Sequence, residues 1–331
     1  MILDRATWNE FFNGYSISDG VLSSGTRFWF LVVEESEEPD DDSLPLRRFV
    51  SVDSKLPMAQ RCNFTEYDHL KTTRIGFRDD SEKEMIGVDI AGNVFAYNGR
   101  GRGLEDEIDN QYPDSQYRWS PVRLVRAGGA FYIVGTGRRI VRRLGVNQWA
   151  APEPIPAPES MVKSGLGIFD YGFEDLAAFD ANDMYAVGGH GDVWHFDGRR
   201  WHQLPFPSND WLFTVCCAGD GQVYISGKGG SLWVGRGNKW KPLLKEQFSI
   251  PFRDTVWFAG RLWCGNEYGL WSLQDGKLVP LLDEQPAEIA ANCGRLDVNP
   301  DGRFMLSMSP VGATLFDGST WQVLFSRFQL E

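Results

Sequence analysis

The sequence predicts an all-β fold: a seven-bladed β-propeller with four antiparallel strands per blade, six blades being the alternative count. Two observations carry this reading. First, a cassette recurs in which two β-rich segments broken by glycines are followed by an aromatic residue, then by a glycine-containing turn that leads into a tryptophan. Its clearest copies are MYAVGGHGDVWHFDGRRWHQL (184–204), VYISGKGGSLWVGRGNKWKPL (223–243), LWCGNEYGLWSLQDGKLVPL from Leu262 and FMLSMSPVGATLFDGSTWQVL from Phe304. Second, registered on the glycine of the last turn, these copies fall at Gly198, Gly237, Gly276 and Gly318, at intervals of 39, 39 and 42 residues. That interval suits a propeller blade of four short strands.

Taken in chain order, the N-terminal stretch holds TRFWFLVV and LRRFVSV, β-branched and aromatic with period-two character, enough for a degenerate first blade. MIGVDIAGNVFAYNGRG then carries the turn at Gly99, and FYIVGTGRRIVRRLGVNQW carries it at Gly145 with Trp149. The longer spacings here imply inserted loops. The four clear copies complete the count. Glycine pairs between the second and third strands suit tight turns at positive φ, and the Asp-Gly type pairs suit the next hairpin. Trp149, Trp201, Trp240 and Trp321 are expected to open the outer strands, where a large ring covers the join between blades. Ring closure would leave no sheet edge open if the N-terminal segment pairs with the last blade around 321–328. One propeller domain over 1–331 is the expected organisation.

Composition fits a soluble β protein, with 42% hydrophobic and 14% aromatic residues. No apolar run approaches a membrane span, so no membrane partner is expected. The opening MILDRATWNEFFNGY has acidic and polar residues where a signal peptide has a basic start and an apolar stretch, which points to the cytoplasm. Cys62, Cys216, Cys217, Cys264 and Cys293 are odd in number and lack CxxC spacing, and so read as reduced core residues. A net charge of −12 argues against nucleic acid as the direct ligand. Arg138, Arg139, Arg142 and Arg143 are a local basic exception, expected on a solvated strand face. Acidic residues concentrate at Glu34, Glu35, Glu37, Glu38, Asp40, Asp41 and Asp42, and again at Glu105, Asp106, Glu107 and Asp109. Each run reads either as a solvated loop and protected edge or as a surface that steers a basic partner.

No metal or cofactor is expected. EESEEPDDDS lacks the central glycine and closing glutamate of a calcium loop. His190, His195 and His202 are predicted on different parts of one blade, which does not suit a shared ion. Catalytic motifs are also missing: the sequence has no GxSxG elbow, no HExxH and no phosphate loop. GKGGSLWVG (227–235) lies inside the repeat and reads as a β-turn. FDGSTW and FDGRRW match only part of the sialidase Asp box. A ligand in the central channel stays open as a reading, because propeller enzymes draw single residues from many blades.

Loops joining strands two and three, and those leading into the next blade, should emerge on one face, and here they are the long and aromatic ones. Tyr112, Tyr117, Phe169, Tyr171, Phe206, Trp211, Phe248 and Tyr268 are the aromatic candidates for partner contact on that face. The proline-rich run at 152–158 is expected to be extended and to cross the channel or reach a partner. If EESEEPDDDS joins the second and third strands of the first blade, it lies there too. The result would be an acidic, aromatic rim.

The repeat GGxGxxWxxDGxxW resembles the divergent propellers of bacterial proteins loosely related to kelch and WD-type repeats, without the full signature of either. Within that group, an acidic stand-alone propeller lacking catalytic motifs is similar to immunity proteins that neutralise toxins of type VI or contact-dependent secretion systems. That resemblance implies a non-catalytic protein-binding module, a monomer in a heterodimeric complex with a basic toxin, for instance a nuclease whose phosphate-binding surface an acidic rim would block. The alternatives are a scaffold or adaptor in a bacterial assembly, and a propeller hydrolase or small-ligand sensor using the channel.

Overall fold

Seven sheets of four antiparallel strands, each sheet built from consecutive strands, surround a central channel. A computed structural model describes residues 1–35, 44–79, 83–99, 101–111, 118–151, 155–156 and 171–330. The innermost strand is the first of each blade: Tyr15–Ser24, Thr73–Asp79, Pro121–Ala127, Asp175–Asp180, Leu212–Cys217, Asp254–Phe258 and Arg295–Val298. Each of these lies beside the inner strand of the next blade, and the last returns to the first, so the ring is closed. Seven blades is therefore the count. TRFWFLVV and LRRFVSV supply the second and third strands of blade one, at Arg27–Glu34 and Arg47–Asp53.

The cassette explains the geometry locally. Gly198, Gly237, Gly276 and Gly318 all adopt positive φ, between 57° and 93°, in the hairpin before the outer strand. In the copy at Gly145 the left-handed position falls instead on Asn147, at φ 56°, a conformation asparagine tolerates. Between strands two and three of blade four, Gly191 donates its N–H to Asp210 O at 2.9 Å, and a Cβ there would fall 1.9 Å from Ser208 O. The glycine-rich turn is thus the place where one blade's upper loop abuts the entry to the next.

The core is divided into seven apolar clusters, one at each joint between blades. Trp201 is buried between blades three and four, while Trp149, Trp240 and Trp321 pack against the clusters at their own joints. Blade seven takes all four strands from the C-terminal part of the chain. The N-terminus reaches it through one backbone bond, Ile2 N–H to Leu324 O at 2.7 Å, and through the helix Arg5–Phe11 rather than through an added strand.

The arginine run of blade three is not a solvated face. Arg143 and Arg138 are buried, at 2% and 9% exposure, and only Arg142 of the four is exposed. Arg143 meets Glu84 and Glu105 of blade two, and Arg138 meets Asp192 of blade four. Alternation along a strand tells which side chains share a face but not what covers that face.

Candidate functional site: the channel and its upper mouth

Entry loops and second-to-third-strand turns bond to one another around one end of the ring. Gly137 N–H donates to Tyr171 O at 2.6 Å, Phe248 N–H to Gly229 O at 3.0 Å, Ile17 N–H to Pro310 O at 2.9 Å and Glu35 N–H to Gly14 O at 2.9 Å. This end is the upper face, and the second strand of blade one ends there at Glu34 while the third begins there at Arg47.

Just inside, the inner strands contribute charged side chains to the channel wall: Arg74 from blade two, Arg123 from three, Asp175 from four, Asp254 from six and Arg295 from seven. Four channel aspartates act as staples between neighbours. Asp19 accepts from Ile75 N–H at 3.1 Å, Asp175 from Val215 N–H at 2.9 Å, Asp254 from Leu296 N–H at 2.9 Å and Asp297 from Leu22 N–H at 3.0 Å. Each bond crosses a blade joint. At the joint of blades five and six a hydroxyl does the same work, Thr255 Oγ1 to Thr214 Oγ1 at 2.9 Å.

Arginines then cross the bore. Arg123 pairs with Asp175 at 2.9 Å and with Asp254 on the far side, and also donates to Arg253 O at 3.0 Å. Arg126 donates to Phe77 O at 3.1 Å and across the ring to Val298 O at 2.6 Å. The carboxylates respond differently to the same burial. Asp254, held by both Arg123 and Arg295, stays below the ordinary carboxylate range despite its desolvation. Asp175 faces Arg123 alone, and burial outweighs that cation and pushes it up to about 6. Asp297 is likewise raised by burial to about 6.

This fixes a pH dependence. A carboxyl raised in the folded state binds its proton there at a pH where the unfolded chain has lost it, so stability rises as pH falls through 6 towards 4. Lowering pH from 7 to 5 should therefore increase the unfolding free energy by about 1 kcal/mol per group. Below about 4, protonation of Asp254 and other lowered carboxylates reverses the trend. Thermal unfolding followed from pH 4 to 8 checks the sign, and Asp297→Asn should remove its share of the slope.

The aromatic candidates divide by environment. Phe206 packs between Trp233 and Trp240, at 5.1 and 5.4 Å between ring centroids, and Phe248 packs on Trp271 at 4.7 Å. Trp211 donates its Nε1–H to Glu174 Oε1 at 3.0 Å and meets His190 edge-on. Tyr171 is half-buried, with the Arg138 guanidinium 5.7 Å from its ring centroid. Tyr268, 64% exposed, stands at the channel mouth. Of the acidic run, Glu35 accepts from Ser16 Oγ at 2.5 Å and from Arg327 at 2.9 Å, and those bonds, Ser16 foremost, hold its pKa down. Glu34 accepts from Leu46 N–H at 3.3 Å. Glu37, Glu38, Asp40, Asp41, Asp42, Tyr112, Tyr117 and Phe169 lie outside the described residues, as does most of the proline-rich run. Of that run Ile155 is buried and Pro156 O accepts from Arg138. The histidines go separate ways, His195 to Asp183 at 2.8 Å and His202 to Asp197 at 2.6 Å.

The charged channel wall was not read from the sequence. A signal for it exists in the pattern F-x-D-x-x-x-F at 173–179 and 252–258, which places an aspartate at the head of two inner strands.

No protein-family model matches the chain. The "Immune protein Tsi7" of Pseudomonas aeruginosa is 32% identical to it over 195 residues, which is 58% of this chain and 60% of that protein. The match thus spans three fifths of that relative's own length. Among solved structures, a catalytically inactive virginiamycin B lyase from Staphylococcus aureus, with quinupristin, superposes at a TM-score of 0.61 and 11% identity, covering 90% of this chain and 93% of the other. Ycf48 from Cyanidioschyzon merolae gives 0.56 at 11% identity, covering 91% and 95%. The WD40 propeller domain of Doa1 gives 0.55 at 11%, covering 90% and 95%. At such identities these structures share the fold alone.

Proposed function

We propose that the chain is an immunity protein, a non-catalytic propeller that binds a bacterial toxin and neutralises it. The observation that carries this is its 32% identity over 195 residues to a protein named as an immune protein. The propeller supports the reading physically. A closed ring buries its sheet edges and leaves the upper loops free to vary without loss of the scaffold.

In its finer form the proposal places a basic toxin, such as a nuclease of a type VI system, in a one-to-one cytoplasmic complex against the upper face. The acidic run at 34–42 supplies the steering charge, within a chain of net charge −12. Co-expression with a toxin encoded beside the chain should restore growth and yield a co-purifying pair. Charge reversal by Glu37→Lys, Asp40→Lys and Asp41→Lys should slow association roughly tenfold or more at low salt and flatten its salt dependence. Wild-type chain that neither protects nor co-purifies sinks the immunity reading. Association rates that ignore the reversal sink only its electrostatic part.

A further inference from the structure

A cavity of about 530 Å³ opens at the upper mouth, where four arginines, Arg74, Arg123, Arg253 and Arg295, face two glutamates, Glu174 and Glu267. Most of these charges are already spent. Arg123 is committed to Asp175 and Asp254, and Arg253 to Glu267. Arg295 reaches Asp254 only at 3.5 Å, and that carboxylate already serves Arg123 and a backbone N–H. Glu174 accepts from Trp211 Nε1–H at 3.0 Å, and burial raises its pKa.

Arg74 is the odd member. It is half-buried, lines the cavity, and among the described residues its guanidinium has neither a hydrogen-bond acceptor nor an ion-pair partner. Its pKa is pushed down to about 10, by burial first and then by Arg295. A half-buried guanidinium whose fork of donors meets no acceptor from the described residues is open to a ligand, and an oxyanion that presents two oxygens side by side is the group whose geometry meets it.

We infer that the channel mouth is an oxyanion-binding site, in which Arg74, with Arg295 beside it, takes the carboxylate or phosphate group of a small anion. The fork of Arg74 offers two parallel N–H donors, and Arg295 places a second cation beside it, with Asp19 and Asp254 as the nearby counter-charges. The cavity has room for inorganic phosphate, for a short dicarboxylate, or for a larger molecule that carries such a group. This site stands independently of any toxin complex.

Titration calorimetry and thermal unfolding of the purified full chain at constant ionic strength test it, with inorganic phosphate and succinate as separate probes. The expected result is saturable binding of at least one probe, with a rise of a few degrees in Tm at concentrations well above its Kd. The two probes decide between a phosphate and a carboxylate ligand. Arg74→Gln should weaken that binding about tenfold or more, while its Tm without anion is unchanged or higher because a repulsion with Arg295 is gone. Arg199→Gln, on an exposed hairpin, should bind as the wild type does. Absence of saturable binding for both probes, or equal binding by Arg74→Gln, overturns the assignment.

Discussion

Replacing Arg143 by methionine should cost about 3–5 kcal/mol of folding stability, far more than an arginine on a charged surface strand would. The side chain is fully buried, and both partners are nearly so, at 1% and 6% exposure. Its guanidinium is used twice over. Nε and Nη2 donate to Glu84 at 2.9 and 2.6 Å, while Nη1 and Nη2 donate to Glu105 at 2.9 and 2.7 Å. Glu105 also accepts from Asn147 N–H, so the pair fixes the outer hairpin of blade three against blade two. Methionine fills similar volume but leaves Glu105 without its cation and Glu84 with Arg78 alone, at 3.1 Å. The penalty is thus the desolvation of stranded carboxylates, and it should be smaller in acid, where carboxylates as a class approach neutrality, than at pH 7. Urea denaturation of Arg143→Met at pH 7 and pH 4.5 measures both effects. Combining it with Glu84→Gln and Glu105→Gln should recover most of the loss. A cost under about 1 kcal/mol at pH 7 would show that the buried network behaves as an exposed pair.

The same arginine shows where sequence reading stops. The propeller was legible because its determinants are local: a left-handed turn at Gly198, Gly237, Gly276 and Gly318, with a tryptophan soon after three of the four. Such signals repeat at the blade interval and survive divergence of the rest. Blade one was legible only as two β-rich segments, since no cassette marks it. The placement of Arg143 depends on Glu84, 59 residues earlier and in another blade, so the strand pattern around it could show two faces without showing which was covered. Distance in sequence hides the channel still more. Arg123 meets Asp254 across 131 residues, and the inner-strand position that is arginine in blades two, three and seven is aspartate in four and six. Blade five has Thr214 at that position. No repeat survives where each blade needs a different charge, and the only trace is the Phe-x-Asp pattern shared by blades four and six. The acidic rim was read from composition, whereas the mouth it would surround is lined by arginines that composition could not place.

Substitution of Trp8 by alanine should destabilise the protein by about 3–5 kcal/mol and open it first at the joint of blades seven and one. Because each sheet is made of consecutive strands, no strand from one terminus completes the sheet at the other. The final joint therefore relies on inner-strand bonds and on what packs between the blades. The N-terminal helix supplies much of the latter. Asp4 caps it, accepting from Thr7 N–H at 2.8 Å, and so sets the helix start that turns Trp8 inward. The Trp8 ring is fully buried, stacked on Phe12 at 5.2 Å and tilted against Phe325 of blade seven at 5.7 Å, while Phe12 reaches Phe30 of blade one at 6.1 Å. Removing the indole leaves a cavity that these rings cannot close without giving up contacts across the joint. Hydrogen exchange distinguishes this from a general loss of stability. In Trp8→Ala, protection should fall most in the strands of blades one and seven, whereas Trp201→Ala, which empties the interior joint of blades three and four, has no chain end to release and should open no such region. A uniform rise in exchange across all seven blades of Trp8→Ala would mean that the ring opens as one unit and that the helix is not its latch.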